Sequence, residues 1–172
     1  MNAWVFAFAG AMLAAGWGVV RWLTELGARE YRQEAEKLGQ INSLPDPAAA
    51  TRATILLQDA SIFRQLQVSD ADNEFVQALA PELRGFLQRY GRIEVLRGPE
   101  ASVCRSWTGP SVHKEGFLRI GVCRGDGEIA VRPDEEAIYE LYSNDEIDAT
   151  FGTYKSVYHW ALAMAMEAKE GK

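Results

Sequence analysis

Residues 116–133 read GFLRIGVCRGDGEIAVRP, two apolar and β-branched runs on either side of Gly125-Asp126-Gly127. Glycine and aspartate tolerate positive φ, so this triplet has the residues for a tight hairpin between two strands. The pattern extends outward. IEVLRG (93–98), SVCRSW (102–107) and AIYELYS (137–143) are further short strand candidates separated by turn residues. Before them, SDADNEFVQALAPELRGFLQRYG (69–91) carries a helical stripe of Phe75, Val76, Leu79, Leu83, Phe86, Leu87 and Tyr90. Pro81 is tolerated in a first helical turn and costly inside a helix, so the stretch reads as two helices, Asp72–Ala78 and Pro81–Arg89, the second ended by Gly91. After the strands, TFGTYKSVYHWALAMAMEAKEGK (150–172) returns to helix, with Val157, Trp160, Ala161, Met164 and Ala168 on one side. Helices, an antiparallel sheet and a closing C-terminal helix define an α+β domain.

Further toward the N-terminus, Thr51–Leu66 has apolar residues at helical spacing and reads as a helix packing on the domain. QINSLPDPAAA (40–50), with Pro45 and Pro47, reads as a linker or a turn before the next helix. TELGAREYRQEAEKL (24–38) reads as a solvated helix stopped at Gly39. The run from Ala3 to Val20 has no charged side chain. Extended to Leu23 it would be roughly 30 Å long as a helix, a bilayer's hydrocarbon thickness, with Trp4, Trp17 and Trp22 suited to the interfaces. The expectation is a single transmembrane helix over 3–23, a charged helix and linker over 24–50, and the α+β domain over 51–172. A cleaved signal lacks its basic n-region, a core helix would need protein on every side, and an interfacial helix would need a polar face. Arg21, Arg29, Arg32 and Lys37 all follow the run, which places the domain on the cytoplasmic side of an inner membrane. Gly10, Ala14 and Gly18 repeat every four residues and would allow self-association in the bilayer.

The chain carries 18 Lys and Arg against 24 Asp and Glu, and residues 1–40 hold four of each sign, so the net charge of −6 falls on residues 41–172. Such a balance is poorly suited to gripping phosphate backbones and favours a basic protein partner over nucleic acid. Cys104 and Cys123 fit no CxxC spacing and read as small buried hydrophobes in a reducing compartment. His113 and His159, with those two cysteines, make no recognisable metal set. The sequence contains no GxSxG, SxxK, GxGxxG or GxxxxGK[ST] motif. The reading is of a non-enzyme with no catalytic residue, cofactor or metal; His159 reads as a packed helix residue.

LAPELRGFLQRYGRIEV (79–95), GFLRIGVCRGDGEIAVRPDEEAIYEL (116–141) and TFGTYKSVYHWALAMA (150–165) together resemble the SMI1/KNR4 family, the SUKH superfamily, over about residues 70–166. The resemblance rests on an "LPxxLxxFLxxYG"-like element at Leu79, Pro81, Leu83, Phe86, Leu87, Tyr90 and Gly91. An "FLxIGxxxGDxxI"-like strand pair follows at Phe117, Leu118, Ile120, Gly121, Gly125, Asp126, Ile129 and Val131, and a closing helix contains Tyr154, Val157 and Trp160. It implies a non-enzymatic α+β interaction domain, used in bacteria as an immunity protein that neutralises a cognate toxin, commonly a nuclease, by direct occlusion. The alternative is a membrane scaffold or regulatory adaptor in an envelope assembly. Candidate contacts for a basic toxin are the acidic residues Asp134, Glu135, Glu136, Asp145, Glu146 and Asp148, although no family motif marks them.

Overall fold

The computed structural model describes residues 24–29, 31–68, 75–96, 116–123, 127–141 and 153–170. It separates into two compact units, Met1–Lys37 and Leu38–Lys172. In the first, residues 24–29 and 31–37 are helical, with only Leu26 and Ala35 half-buried and the other described residues exposed. The side chain of Arg32 donates back to the carbonyl of Ala28 at 3.2 Å.

The second unit begins at Leu38, ahead of the boundary at residue 51 that composition suggests. Gly39 does not stop the helix. Helical residues run to 42, because Leu38 and Ile41 bury themselves in the main core. Helix α1, Asp46–Leu56, takes in part of the proline-bearing stretch read as a linker, with proline in its first turn, where a missing N–H removes no helical bond. It ends well before Leu66. Asp59 forms an Asx turn, its Oδ1 accepting from the amide and hydroxyl of Ser61 at 3.0 and 2.6 Å. The following Phe63–Leu66 becomes strand β1 rather than the end of a helix.

Helix α2, Pro81–Tyr90, matches the segmentation implied by Pro81 and buries Leu83, Phe86, Leu87 and Tyr90. Residues 75–77 are helical, and the rest of the helix expected over 72–78 falls partly outside the described residues. Gly91 closes α2 at φ +68°, ψ −155°, a conformation open essentially to glycine alone. Strand β2, Arg92–Val95, follows at once and pairs antiparallel with β1, Phe63 opposite Val95 and Leu66 opposite Arg92. Strands β3 (Leu118–Cys123), β4 (Gly127–Val131), β5 (Ile138–Leu141) and β6 (Thr153–Tyr154) form an antiparallel sheet in chain order. Cys123 lies opposite Gly127 at the end of the β3–β4 ladder; Gly125 and Asp126, read as the hairpin turn, lie outside the described residues. The SVCRSW candidate strand and Cys104 lie outside the described residues.

One face of this sheet sends Leu118, Ile120, Ile129, Val131 and Ile138 into the main core with α2 and the closing helix α3, Val157–Glu170. Phe117, Ala130, Tyr139 and Leu141 make a second, smaller cluster, as the period-two alternation along β4 and β5 requires. Helix α3 buries the expected Val157, Trp160, Ala161, Met164 and Ala168, and also His159, Leu162, Ala163 and Ala165. It is wrapped because α1 packs along it, with Ala49 and Ala53 of α1 fully buried.

A short strap, residues 42–46, fastens α1 to β6 and α3. The Asn42 amide donates to the Thr153 carbonyl at 2.8 Å and accepts from the Lys155 amide at 3.0 Å. Lys155 Nζ meets Asp46 at 2.7 Å. These bonds belong to the stretch that reads from the sequence as a linker or turn.

The α+β class with antiparallel strands and a closing helix holds, but the single transmembrane helix in that fold-class reading is corrected. Among the described residues no helix is long and apolar enough to cross a membrane. The 14-residue α3 reaches only about 21 Å at about 1.5 Å per residue, and its apolar sides are taken up by α1 and the core. Residues 3–23, with Gly10, Ala14 and Gly18, lie outside the described residues.

A Cβ at Gly91 would drive into the backbone carbonyl of Leu66 as well as force a residue into glycine-only φ, ψ space. Gly91→Ala is expected to cost about 3 kcal/mol or more, read as a lowered midpoint in urea unfolding.

Candidate functional site

The connection between β4 and β5 carries the three predicted contact residues that are described. Residues 132–135 form a β-turn, the Glu135 amide donating to the Arg132 carbonyl at 3.1 Å, with Pro133 at the position where its fixed φ is preset. Asp134, Glu135 and Glu136 are consecutive acidic residues in the sequence; the structure gives each a different task.

Glu136 closes the N-terminus of α2. Its Oε1 accepts from the Glu82 amide at 3.0 Å and its Oε2 from the Leu83 amide at 3.2 Å. The N-cap residue Ala80 has no side-chain acceptor, so two orphan N–H groups are met by a carboxylate from 53 and 54 residues away. Glu136 therefore contributes to folding rather than standing free for a partner.

Glu135 is held on the other side of the turn. Its Oε1 accepts from Arg132 Nη1 at 3.0 Å, and its Oε2 accepts a short hydrogen bond from the Tyr139 hydroxyl. The Tyr139 bond first and the Arg132 bond second hold the Glu135 carboxyl below its usual 4.5. Burial, followed by the bond to Glu135, pushes the Tyr139 hydroxyl up to about 12, so at neutral pH it is the donor. The Arg132 guanidinium lies 4.6 Å from the Phe117 ring centroid and 5.9 Å from that of Tyr139. The two rings meet edge to face at 5.0 Å. Each contact restrains the same turn. Of the three acidic residues only Asp134 is exposed, and it makes no hydrogen bond or ion pair among the described residues. Asp145, Glu146 and Asp148 lie outside the described residues.

Composition and motif searching miss Arg132 and Tyr139, and they mark Phe117 only as a position of the strand pair. The available signal is the strand alternation, which places 117, 130, 139 and 141 on one side of the sheet and brings Arg132 beside them.

The same searches leave Ser156 unmarked. It precedes α3, its Oγ accepting from the Tyr158 amide at 3.3 Å and lying 3.0 Å from His159 Nδ1. His159 Nε2 sits 3.1 Å from the carbonyl oxygen of Leu44. A carbonyl only accepts, so Nε2 carries a proton, and in the neutral ring Nδ1 accepts from the Ser156 hydroxyl. In a hydrolase dyad the imidazole activates an exposed hydroxyl; here His159 is fully buried and Ser156 is 3% exposed. The pair caps α3 and anchors the strap at Leu44. His113 lies outside the described residues. Among the described residues no group of three or more His, Cys, Asp or Glu could hold a metal ion.

No family model matches the chain, and neither a curated protein nor a solved structure matches it.

Two outcomes follow from the turn. Glu136→Ala is expected to cost about 1–2 kcal/mol through the uncapped α2, measured by chemical denaturation, with Glu136→Gln falling between. A carboxyl with a depressed folded pKa stabilises the fold fully above its unfolded value and loses that contribution as pH falls through the folded one. From about pH 4.5 downward the stability of the chain is therefore expected to fall less steeply in Glu135→Gln than in the parent, measured by urea unfolding at stepped pH.

Proposed function

We propose that residues 38–172 form a protein-binding domain that acts as an immunity protein, neutralising a basic bacterial toxin by covering its working surface. The observation that carries the proposal is the β4–β5 turn, where Arg132, Glu135, Tyr139 and Phe117 hold the backbone that presents Asp134 to solvent. A restrained turn loses little conformational freedom on association, and the chain's net charge of −6 would steer a positively charged partner toward it. The succession of helices, antiparallel strands and closing helix is the order that a resemblance to the SMI1/KNR4 family implies, and this supports an interaction domain.

The test is capture of proteins from the source cell's own extract by the intact chain, at low and moderate salt. Retention of a basic nuclease, weakening with salt, is the expected result. Asp134→Lys is expected to lower its association rate by about threefold to tenfold at low salt and by less at high salt. If no basic protein is held at either salt concentration, the proposal fails.

A further inference from the structure

A groove of about 530 Å³ opens between the end of β1 and the last turn of α2. Its wall includes the buried Val76 and Leu87 together with four exposed polar side chains, Gln65, Gln67, Gln88 and Arg89. The β1–β2 ladder stops at the pair Leu66–Arg92, so the groove lies where the chain runs on past its neighbouring strand. Among the described residues the main-chain groups of Gln67 and Val68 take no hydrogen bond, and neither do the side chains of Gln67 and Gln88. Gln65 donates its Nε2–H to the Leu57 carbonyl at 3.1 Å and keeps its Oε1. The Arg89 guanidinium lies 5.2 Å from the Tyr90 ring centroid and meets no carboxylate among the described residues.

The chemistry of this wall restricts what fits it. A carboxamide offers both donor and acceptor, as a main-chain amide unit does, and the complement of both is another peptide group. Continuing a strand past the end of its ladder is one way in which an extended segment docks, with main-chain bonds for affinity and side-chain pockets for choice. The volume is that of a ligand cleft, far above the space of a single water. Arg89 is the one charged side chain among the described lining residues, although the chain as a whole carries −6. A guanidinium keeps its charge at any working pH and selects a carboxylate. We propose that this groove binds a short extended peptide segment carrying a carboxylate, its main chain on Gln67, Val68 and Gln88 and its acidic group on Arg89. Such a partner is opposite in charge to the one proposed for the β4–β5 turn, and the inference does not rest on that reading.

The intact ¹⁵N-labelled chain decides this by titration with two capped peptides, N-acetyl tetraglutamate amide and N-acetyl tetraglutamine amide, at fixed ionic strength. The main-chain amides of Gln67 and Val68 and the side-chain carboxamides of Gln67 and Gln88 are followed, the carboxamides being identified by their loss in Gln67→Ala and Gln88→Ala. Saturable shifts of these resonances are expected, with tetraglutamate bound about threefold to tenfold more tightly at low salt. Arg89→Gln is expected to erase that preference and leave tetraglutamine binding as it was. Absence of a saturable shift at these groups with either peptide overturns the assignment. Equal affinity for the two peptides, or a preference that survives in Arg89→Gln, overturns it as well. Should Arg89→Gln fail to fold, the two titrations of the unaltered chain still decide the question.

Discussion

The N-terminus of α2 is satisfied by a carboxylate that belongs to the sheet. Ala80 cannot cap, Pro81 has no N–H to offer, and the amides of Glu82 and Leu83 would be left unmet without Glu136. An uncapped pair of amides in a half-buried position costs a sizeable part of a small domain's margin of stability, so the helix and the β4–β5 turn must form together. That one interaction fixes where α2 begins, and hence where Leu83, Phe86 and Leu87 enter the core and where Gly91 must reverse the chain into β2. The direction of the whole helix-to-strand passage follows from it.

The same turn faces two ways. Glu136 reaches inward to the helix, while Glu135 is drawn to Arg132 and Tyr139 in the small aromatic cluster. Between them Asp134 is left as the solvent-facing charge, on a backbone restrained from both sides. Rigidity at this point arises from the folding interactions themselves, so presentation to a partner needs no separate device. The acidic excess of residues 41–172 is thus less available than the composition suggests, since part of it is spent on amides, a guanidinium and a lysine within the fold.

Much of the architecture is legible in the residues. Pro81 and Gly91 bound α2, the alternation in GEIAVRP and IYEL marks β4 and β5, and Trp160 and Met164 mark the inner side of α3. What escapes is long-range. Thr51–Leu66 has helical spacing throughout, yet its last four residues gain a ladder with β2 that local periodicity does not contain. Asn42 and Leu44 look like linker because their partners are supplied by β6 and α3. Glu136 reads as a candidate partner contact because the helix it caps lies more than fifty residues earlier. Composition also gives weight to an apolar run of the right length for a bilayer, while the described helices spend their apolar faces on one another.

The strap around Asn42 and Leu44 sets a timetable for synthesis. Its partners lie 111, 113 and 115 residues further along the chain. At about 5–20 residues per second of translation, the strap emerges from the ribosome roughly 6–23 s before its partners in β6 and α3 exist. The unit therefore cannot close vectorially from its N-terminal end; its opening segment waits for the C-terminal helix, and a nascent chain stalled before Thr153 has no means of fastening it.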